Sequence, residues 1–234
     1  MPERADEARE TSDDTREALL AEAAALWAAQ DGEVWPPGNS GRAMGDLPGF
    51  LGAYYRLVAT DELVTAGPRR VAAVAAWNAA LVESRPQGRA VVQVRDSGSA
   101  SLTGAGTVVD IVTDDMPYLV DTVTTELNRH HADIRLIVHP LLTVHRDVTG
   151  EAHGTVLANL GAELPSGAVA ESWIHVEVGQ VAQRESLAAG SELADRHVVQ
   201  IAGSVDGRPG ARLGQHKQPR GARAQVAAGR RDVE

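Results

Sequence analysis

Cysteine is absent from this chain of 234 residues, which excludes disulfides, thiolate nucleophiles and cysteine-ligated zinc or iron–sulfur sites. Aromatic residues make up only 3% of the sequence, whereas hydrophobic residues together make up 43%. A folded core must therefore be built mainly from alanine, valine, leucine and isoleucine. No apolar run approaches the roughly 20 residues that a membrane span needs, so we expect no membrane partner.

Basic residues are also in short supply, and the formal net charge is −10. Such a balance argues against nucleic acid as a general partner, because phosphate backbones bind basic surfaces. The first fourteen residues, MPERADEARETSDD, are acidic and lack the hydrophobic segment of a signal peptide. We therefore expect a cytoplasmic protein that binds neither nucleic acid nor membranes.

The N-terminal part of the sequence predicts helices. Residues 1–13 are polar and typical of disorder, and residues 14–30 have helical spacing. A linker rich in proline and glycine follows, and then a short helix at residues 50–59. Pro68 opens a longer helix with an apolar stripe, which Arg85-Pro86 is expected to end.

The middle of the sequence predicts strands around one helix. Residues 91–95 and the β-branched run at 107–112 read as strands, joined by a loop rich in glycine and serine. A helix is expected to begin at Asp114 and Asp115, whose carboxylates would cap its free amides, and to run to His131. The expected fold class is therefore α+β, with a helical segment before the sheet.

From Ile134 onward the apolar residues recur with a period of two, which predicts one long strand. Its apolar face is expected to hold Ile134, Leu136, Val138, Leu142 and Val144. Its other, solvated face is expected to hold Arg135, His139, Thr143 and His145. A weaker strand is expected at residues 155–159.

The segment 171–178 alternates in the same way and predicts another strand. Ile174, Val176 and Val178 are expected to point inward. Trp173, His175 and Glu177 are expected to point outward. Residues 184–195 begin another helix.

The last part of the chain, residues 197–234, differs in composition from the rest. It holds 7 basic and 3 acidic residues, against 15 and 29 in the first 196 residues. It lacks both helical and strand periodicity. Two explanations remain open: a disordered basic tail, or the product of a reading-frame shift in GC-rich DNA.

Three stretches resemble a known family: VTDDMPYLVDTVTTEL, IVHPLLTVHRDVTGE and ESWIHVEV. Together with YYRLVATDEL and VESRPQGRAVVQV upstream, they are similar to the N-terminal region of the large bacterial NAD-specific glutamate dehydrogenases. The resemblance covers about residues 45 to 190. It implies an ACT-like regulatory module, a βαββαβ unit whose antiparallel sheet carries helices on one face.

The resemblance implies three parts in this chain: a disordered or helical segment and linker at 1–46, an incomplete ACT-like domain at 47–196, and a disordered tail at 197–234. The domain would lack its second helix and last strand, so one sheet edge would stay open unless the strand at 89–95 takes that place. An exposed sheet surface of this kind would favour association, with homo-oligomers as the expected state.

The function that the resemblance implies is that of a regulatory or assembly fragment. The full enzyme would oxidise glutamate to 2-oxoglutarate and ammonium and reduce NAD. No catalytic or NAD-binding residue of that family maps onto this chain, so we expect no cofactor, no metal site and no activity of its own. The alternative is a stand-alone ACT-like sensor of amino acids.

The residues suggest three candidate sites, formed by glycines, by aspartates and by histidines, and each also has a simpler structural explanation. Gly104-Ala105-Gly106 could begin a dinucleotide fingerprint, but it precedes a strand rather than a helix, which favours a hairpin loop. Asp114, Asp115 and Asp121 could bind a metal or act as a base, but helix capping explains them better. By the resemblance, Asp114 and Asp115 are the candidates for binding an amino-acid effector.

The histidines at 130, 131, 139 and 145 could provide zinc ligands. His139 and His145 are separated by roughly 20 Å if the strand is extended, however, and cannot share one ion. Solvated histidines on a strand and at a helix end are the better interpretation. The two strand histidines and Arg135 could also form a weakly anion-attracting stripe or contact a neighbouring domain.

Overall fold

The structure is a computed structural model that describes residues 3–32, 35–36, 44–98, 100–104, 106–156 and 164–179. Five helices lie within these ranges: α1 (Glu3–Ala29), α2 (Leu47–Tyr54), α3 (Thr60–Ala66), α4 (Pro68–Leu81) and α5 (Leu119–Arg129). Six strands complete the fold: β1 (Val91–Asp96), β2 (Thr107–Asp114), β3 (Ile134–Val138), β4 (Leu141–Arg146), β5 (Ala152–Val156) and β6 (Ala168–Val178). The helix predicted at 184–195 and the tail predicted at 197–234 lie outside the described residues.

The first helix is much longer than predicted. It begins at Glu3 rather than near residue 14, because the residues read as disordered are mostly glutamate, alanine and arginine, which favour helix. α1 packs against α4, α2 and α3, and Trp27 lies in the shared core. Arg16, also on α1, donates hydrogen bonds from its guanidinium to the backbone carbonyls of Tyr55 and Val58, which follow the end of α2.

The helix predicted to begin at Pro68 is confirmed, although it ends at Leu81, before the Arg85-Pro86 pair. Seven of its alanine and valine residues are fully buried. Small side chains on every face allow α4 to pack closely against α1 on one side and the sheet on the other. Residues 50–59 were predicted as one helix, but the chain turns there between α2 and α3.

All strand pairs are antiparallel, and the order across the sheet is β1-β2-β6-β4-β5, with β3 also paired to β6. The long strand predicted from Ile134 is divided into β3 and β4 by His139 and Pro140. The register on β6 nevertheless runs on without a shift, from Val138 opposite His175 to Leu141 opposite Ser172. Proline lacks the amide that a strand needs, so the ladder is interrupted there while the chain keeps its direction.

Both faces of the sheet are covered by helices, so the expectation of helices on one face is wrong. The first core cluster joins α1–α4 to one face, through Val112, Leu142 and Trp173. The second joins α5 to the opposite face, through Ile111 and Ile174. The predicted face of Leu136, Val138, Leu142 and Val144 is confirmed on the side of α1–α4. Ile134 packs on the opposite side, because a bulge shifts the register between Ile134 and Leu136.

The edge strand β1 pairs with β2 on the side away from β6. Its partner, β2, is followed by α5, and β6 lies between β2 and β4. In a βαββαβ unit the final strand pairs with the first in this position. The strand predicted at residues 91–95 therefore lies beside β2, in the place that the last strand of an ACT-like unit would take. β1 and β5 are the outer strands of the described sheet.

Candidate functional site

The side of the central strand β6 that faces α1–α4 carries charged residues, although it is buried. Four alternating residues, Glu171, Trp173, His175 and Glu177, lie on it, and none has any exposed surface. Trp173, His175 and Glu177 were predicted to point outward into solvent. They do lie opposite Ile174, Val176 and Val178, but the helical layer and the loop after β1 cover them. Two groups of buried charges result.

The first group, the histidine cluster, consists of Asp110, His175 and Glu177 with Asn78 and Arg95. Nδ1 of His175 lies 2.6 Å from Asp110 Oδ1, and Nε2 lies 3.1 Å from Glu177 Oε1. Asn78 of α4 donates to Asp110 Oδ1 at 2.8 Å, and Arg95 of β1 donates to Asp110 Oδ2 at 3.1 Å. The cluster therefore joins α4, β1, β2 and β6 at one point.

The loop after β1 wraps around the carboxylate of Glu177. The hydroxyls of Ser101 and Thr103 donate to Glu177 Oε2 at 2.7 and 2.5 Å, and the amide of Thr103 does so at 2.8 Å. The amide of Leu102 donates to Oε1 at 2.5 Å. A carboxylate that accepts several such bonds is held in its charged form.

Burial alone would lower the pKa of His175, but the carboxylates of Asp110 and Glu177 outweigh it and raise that pKa to about 9. Burial likewise favours neutral Glu177, yet its bonds to His175 and Thr103 lower its pKa to about 2. The pKa of Asp110 is lowered for the same reason, since His175, Arg95 and Asn78 outweigh burial. At neutral pH His175 is therefore an imidazolium between two carboxylates.

The second group, the arginine cluster, surrounds Glu171. Nη2 of Arg85 lies 2.6 Å from Glu171 Oε1, and Nε of Arg146 lies 2.5 Å from the same oxygen. Trp173 donates its indole N–H to Glu171 Oε2 at 3.0 Å. Arg85 also bonds Asp114 at 2.6 Å. Burial raises the pKa of Glu171, but the two guanidinium groups outweigh it, and the pKa stays below its usual value.

The chemistry open to these clusters is limited by their burial. An imidazole between two carboxylates resembles a general base with its orienting group, but both nitrogens of His175 are engaged and the residue is fully buried. No substrate atom can reach it without opening the helical layer. The arrangement instead fixes the helices and the loop after β1 on the sheet.

The sequence did contain a signal for these clusters. Asp110 interrupts the apolar run of β2, and Glu171, His175 and Glu177 alternate with aliphatic residues that fill the second core. A strand that is polar on one side is usually solvated there, so periodicity alone could not reveal that a helical layer covers it.

Residues 50–193 match the family described as glutamate dehydrogenase, ACT1 domain. This chain belongs to the glutamate dehydrogenase ACT1 domain family. The resemblance stated from the sequence is thereby confirmed. A search of the solved structures found no match.

In this ACT1 domain the predicted effector residues lie at the end of β2 and just after it. The carboxylate of Asp114 belongs to the arginine cluster and also accepts a bond from the amide of Gly88 at 2.9 Å. Asp115 is exposed and accepts a bond from Ser172 at 2.8 Å. Neither caps α5, which begins at Leu119, so the capping interpretation is wrong for both.

The start of α5 differs from the predicted one because Tyr118 precedes it in the left-handed conformation, with a φ of 64°. Its side chain is 80% exposed, and no side chain caps the helix there. A bulky residue seldom adopts a positive φ. Asp121 lies in the first turn of α5, where its charge complements the helix dipole.

The histidines of the ACT1 domain are dispersed. His130 and His131 lie at the end of α5, as predicted, and His130 lies 3.3 Å from Glu126. His139 is half-buried rather than solvated as predicted, and its Nε2 is buried without a hydrogen-bond partner among the described residues. Burial lowers the pKa of His139, and the nearby Asp115 opposes that shift. His145 is half-buried.

Among the described residues, one exposed group has spacing suited to a metal ion: Asp147, Glu151 and His153, whose ligand atoms lie within 4.8 Å of one another. Asp147 already accepts bonds from Thr149 and from the amide of Glu151. These bonds close the turn between β4 and β5 and lower the pKa of Asp147. The turn therefore accounts for this group.

Gly104 and Gly106 lie in the connection of the antiparallel pair β1–β2, as the hairpin interpretation predicts. The glycines precede β2 rather than a helix, which removes the geometry of a dinucleotide fingerprint. Within the described ranges, no helix is both long enough and apolar enough to cross a membrane.

Proposed function

We propose that this chain is the N-terminal regulatory or assembly region of a large NAD-dependent glutamate dehydrogenase, present as a fragment. The full enzyme would oxidise glutamate to 2-oxoglutarate and ammonium, reduce NAD, and act in the cytoplasm. The observation that carries the proposal is the ACT1 domain match over residues 50–193. The chain itself would bind no NAD and carry out no step of the reaction.

The burial of the charged groups supports a non-catalytic role. The ionisable groups with the closest mutual contacts, those of the histidine and arginine clusters, hold secondary structure together in the interior. A catalytic acid or base must reach a substrate atom. In an open cleft such residues could act as acids or bases, but in this domain they hold helices and strands together.

The regulatory part of the proposal rests on the region where β2 leads into α5. Asp115 is exposed there, beside Ser172 and close enough to His139 to affect its pKa. The uncapped amides at the start of α5 lie in the same connection. A carboxylate and free helix amides suit the ammonium and carboxylate groups of an amino acid. We propose Asp115, with Asp114 behind it, as the contact for such an effector.

A direct test has two arms, both on the purified chain. In the first, absorbance of NADH is followed with glutamate and NAD, and we expect no turnover above the blank. In the second, melting temperatures are measured with a panel of amino acids, for the native chain and for Asp115→Asn. Glu126→Gln is the matched control, because Glu126 is half exposed at the far end of α5.

The results separate the two functions. Turnover above the blank would contradict the non-catalytic role. An amino acid that raises the melting temperature of the native chain and of Glu126→Gln, but not of Asp115→Asn, supports an effector site. Equal shifts in all three proteins would place binding elsewhere.

The second candidate is a stand-alone amino-acid sensor, which the exposed Asp115 also favours. The DNA that follows the coding region distinguishes it from the fragment. Family sequence continuing in another frame supports the fragment of a glutamate dehydrogenase, whereas a clean stop followed by a separate promoter supports the sensor.

A further inference from the structure

A groove of about 340 Å³ lies between α1 and α2. Leu20, Pro48 and Gly52 contribute to its apolar lining. Gly52 lies inside α2, where glycine destabilises a helix relative to alanine. An added Cβ at this position would meet no atom within 4 Å, so neither crowding nor a positive φ requires glycine there. The absence of a side chain at Gly52 therefore leaves the groove open to an apolar group from elsewhere.

The charges beside the groove are mainly negative. Over residues 10–22, α1 carries five acidic residues and one basic residue, Arg16. The Arg16 guanidinium donates to two backbone carbonyls that follow the end of α2. Asp13 and Glu17, which also line the groove, have no hydrogen bond or ion pair among the described residues. Like charges four residues apart destabilise a helix, so a cationic occupant with an apolar side chain would suit this groove.

A segment of that composition follows in the same chain. Between residues 207 and 231 there are seven basic residues and no acidic one. Residues 208–223, RPGARLGQHKQPRGAR, hold five of these basic residues and one leucine, Leu213. This basic segment lies outside the described residues. The last described strand ends at Val178, and the chain from there to Arg208 reaches roughly 95 Å when fully extended. The length of the chain therefore does not limit which surface the basic segment can reach.

We propose that the basic segment, residues 208–223, binds in the groove between α1 and α2 of the same chain. Leu213 occupies the space beside Gly52, and the neighbouring cations lie against Asp13 and Glu17. In this state the groove is closed to other basic partners, which must displace the segment to bind. The proposal is independent of the effector site, because α1 and α2 pack on the side of the sheet opposite α5.

Lys217 is the one lysine of the chain, which makes carbodiimide cross-linking of the full chain a direct test. The reagent joins an amine to a carboxylate that touches it. In covalent monomers, we expect peptide mapping to find Lys217 joined to Asp13 or Glu17. The proposal is overturned if Lys217 forms no link, or if its links spread evenly to exposed carboxylates such as Glu126 and Asp133. Links found only between two copies would place the segment on a partner and also contradict it.

Two substitutions outside the groove separate apolar contact from charge attraction. Leu213→Asp and Val226→Asp change the net charge equally, but only the first removes the proposed apolar anchor. The yield of the Lys217 link should fall about tenfold in Leu213→Asp, which corresponds to about 1.4 kcal/mol of lost contact. Val226→Asp should stay within about twofold of the native yield. Equal yields in the two variants would show attraction without use of the groove and contradict the proposal.

Gly52→Leu tests the same contact from the side of the groove. Leucine favours a helix more than glycine does, and its side chain enters open space, so the melting temperature should be kept or raised. The Lys217 link should nevertheless be lost, because the added side chain fills the place proposed for Leu213. A link that persists at the native yield in Gly52→Leu would contradict binding in this groove.

Discussion

At β6 the face of the sheet that packs on α5 and the face that packs on α1–α4 are both buried, yet they differ in chemistry. On the side of α5, β6 contributes Ile174, Val176 and Val178 to an aliphatic cluster. On the other side the same strand contributes Glu171, His175 and Glu177, each without exposed surface. One strand therefore carries an apolar core on one side and a charged interior on the other.

This difference in chemistry determines how well each side of the sheet tolerates substitutions. Aliphatic contacts are non-directional, so the α5 side tolerates changes of similar volume. Buried ion pairs stabilise only when every group is satisfied, because desolvation costs as much as the attraction returns. The α1–α4 side should therefore be intolerant of losing one partner. The predictions that follow compare the two sides, beginning with the largest expected effect.

Val138→Asp should be the most damaging single change. Val138 is 1% exposed, and both ring nitrogens of its cross-strand neighbour His175 are already bonded to carboxylates, so the new carboxylate would be buried without a partner of its own. We expect a loss of about 4 kcal/mol or more in the free energy of unfolding. Arg135→Asp, at a side chain that is 51% exposed, should cost under about 1 kcal/mol. Equal losses in urea denaturation would contradict the assignment of faces.

Glu171→Gln should cost about 3–5 kcal/mol although it changes neither size nor shape, because it leaves Arg146 buried without a countercharge and Arg85 with Asp114 alone. Glu126→Gln, which removes an exposed carboxylate, should cost under about 0.5 kcal/mol. Urea midpoints followed by tryptophan fluorescence provide the measurement. A loss below about 1 kcal/mol for Glu171→Gln would mean that water reaches the arginine cluster.

The histidine cluster should make stability fall at alkaline pH. The folded pKa of His175 is raised to about 9 from 6.5, so its contribution is fully present below pH 6.5 and is lost as pH rises through 9. The loss should be on the order of 3 kcal/mol. The lowered pKa of Glu177, about 2, has the opposite sense: its contribution is present above its unfolded value and is lost as pH falls through 2.

The matched comparison for this pH dependence is His175→Gln, which cannot titrate. Free energies of unfolding measured from pH 6 to pH 10 should fall more steeply for the native chain than for the variant. Parallel curves for the two proteins would assign the alkaline loss to other groups.

Ile174→Val should have the smallest effect among the changes at buried positions. It removes one methylene group from the aliphatic cluster beside α5, at a cost of about 0.5–1.5 kcal/mol. The measurement is again the urea midpoint. A loss as large as that of Glu171→Gln would show that the α5 side is as exacting as the charged side, which would remove the contrast between them.

The sequence predicted the elements that local pattern and composition mark clearly. These are the strands β1 and β2, the helix from Pro68 and the aliphatic face of β6. The family resemblance carried by residues 112–127 and 137–151 is also confirmed. These features depend on local pattern and composition, which a single sequence contains.

The errors at the candidate site share one physical cause, which is that tertiary packing covers polar groups. The sequence pattern predicts that His175 and Glu177 are solvated, but in the structure α4 and the loop after β1 cover them. The pattern predicts that Asp114 caps a helix, but in the structure it pairs with Arg85, which is distant along the chain. Arg85 itself gave no signal beyond its place before Pro86. The effector role of Asp114 and Asp115 stays a prediction.

The most direct test of the charged interior is an NMR titration of the His175 ring in the native chain, assigned by comparison with His175→Gln. The ring is fully buried between two carboxylates. It should therefore remain protonated at pH 8 and titrate near the raised pKa of about 9. A ring that loses its proton at or below pH 6.5 would contradict a charged interior and show that this face of the sheet is either neutral or open to water.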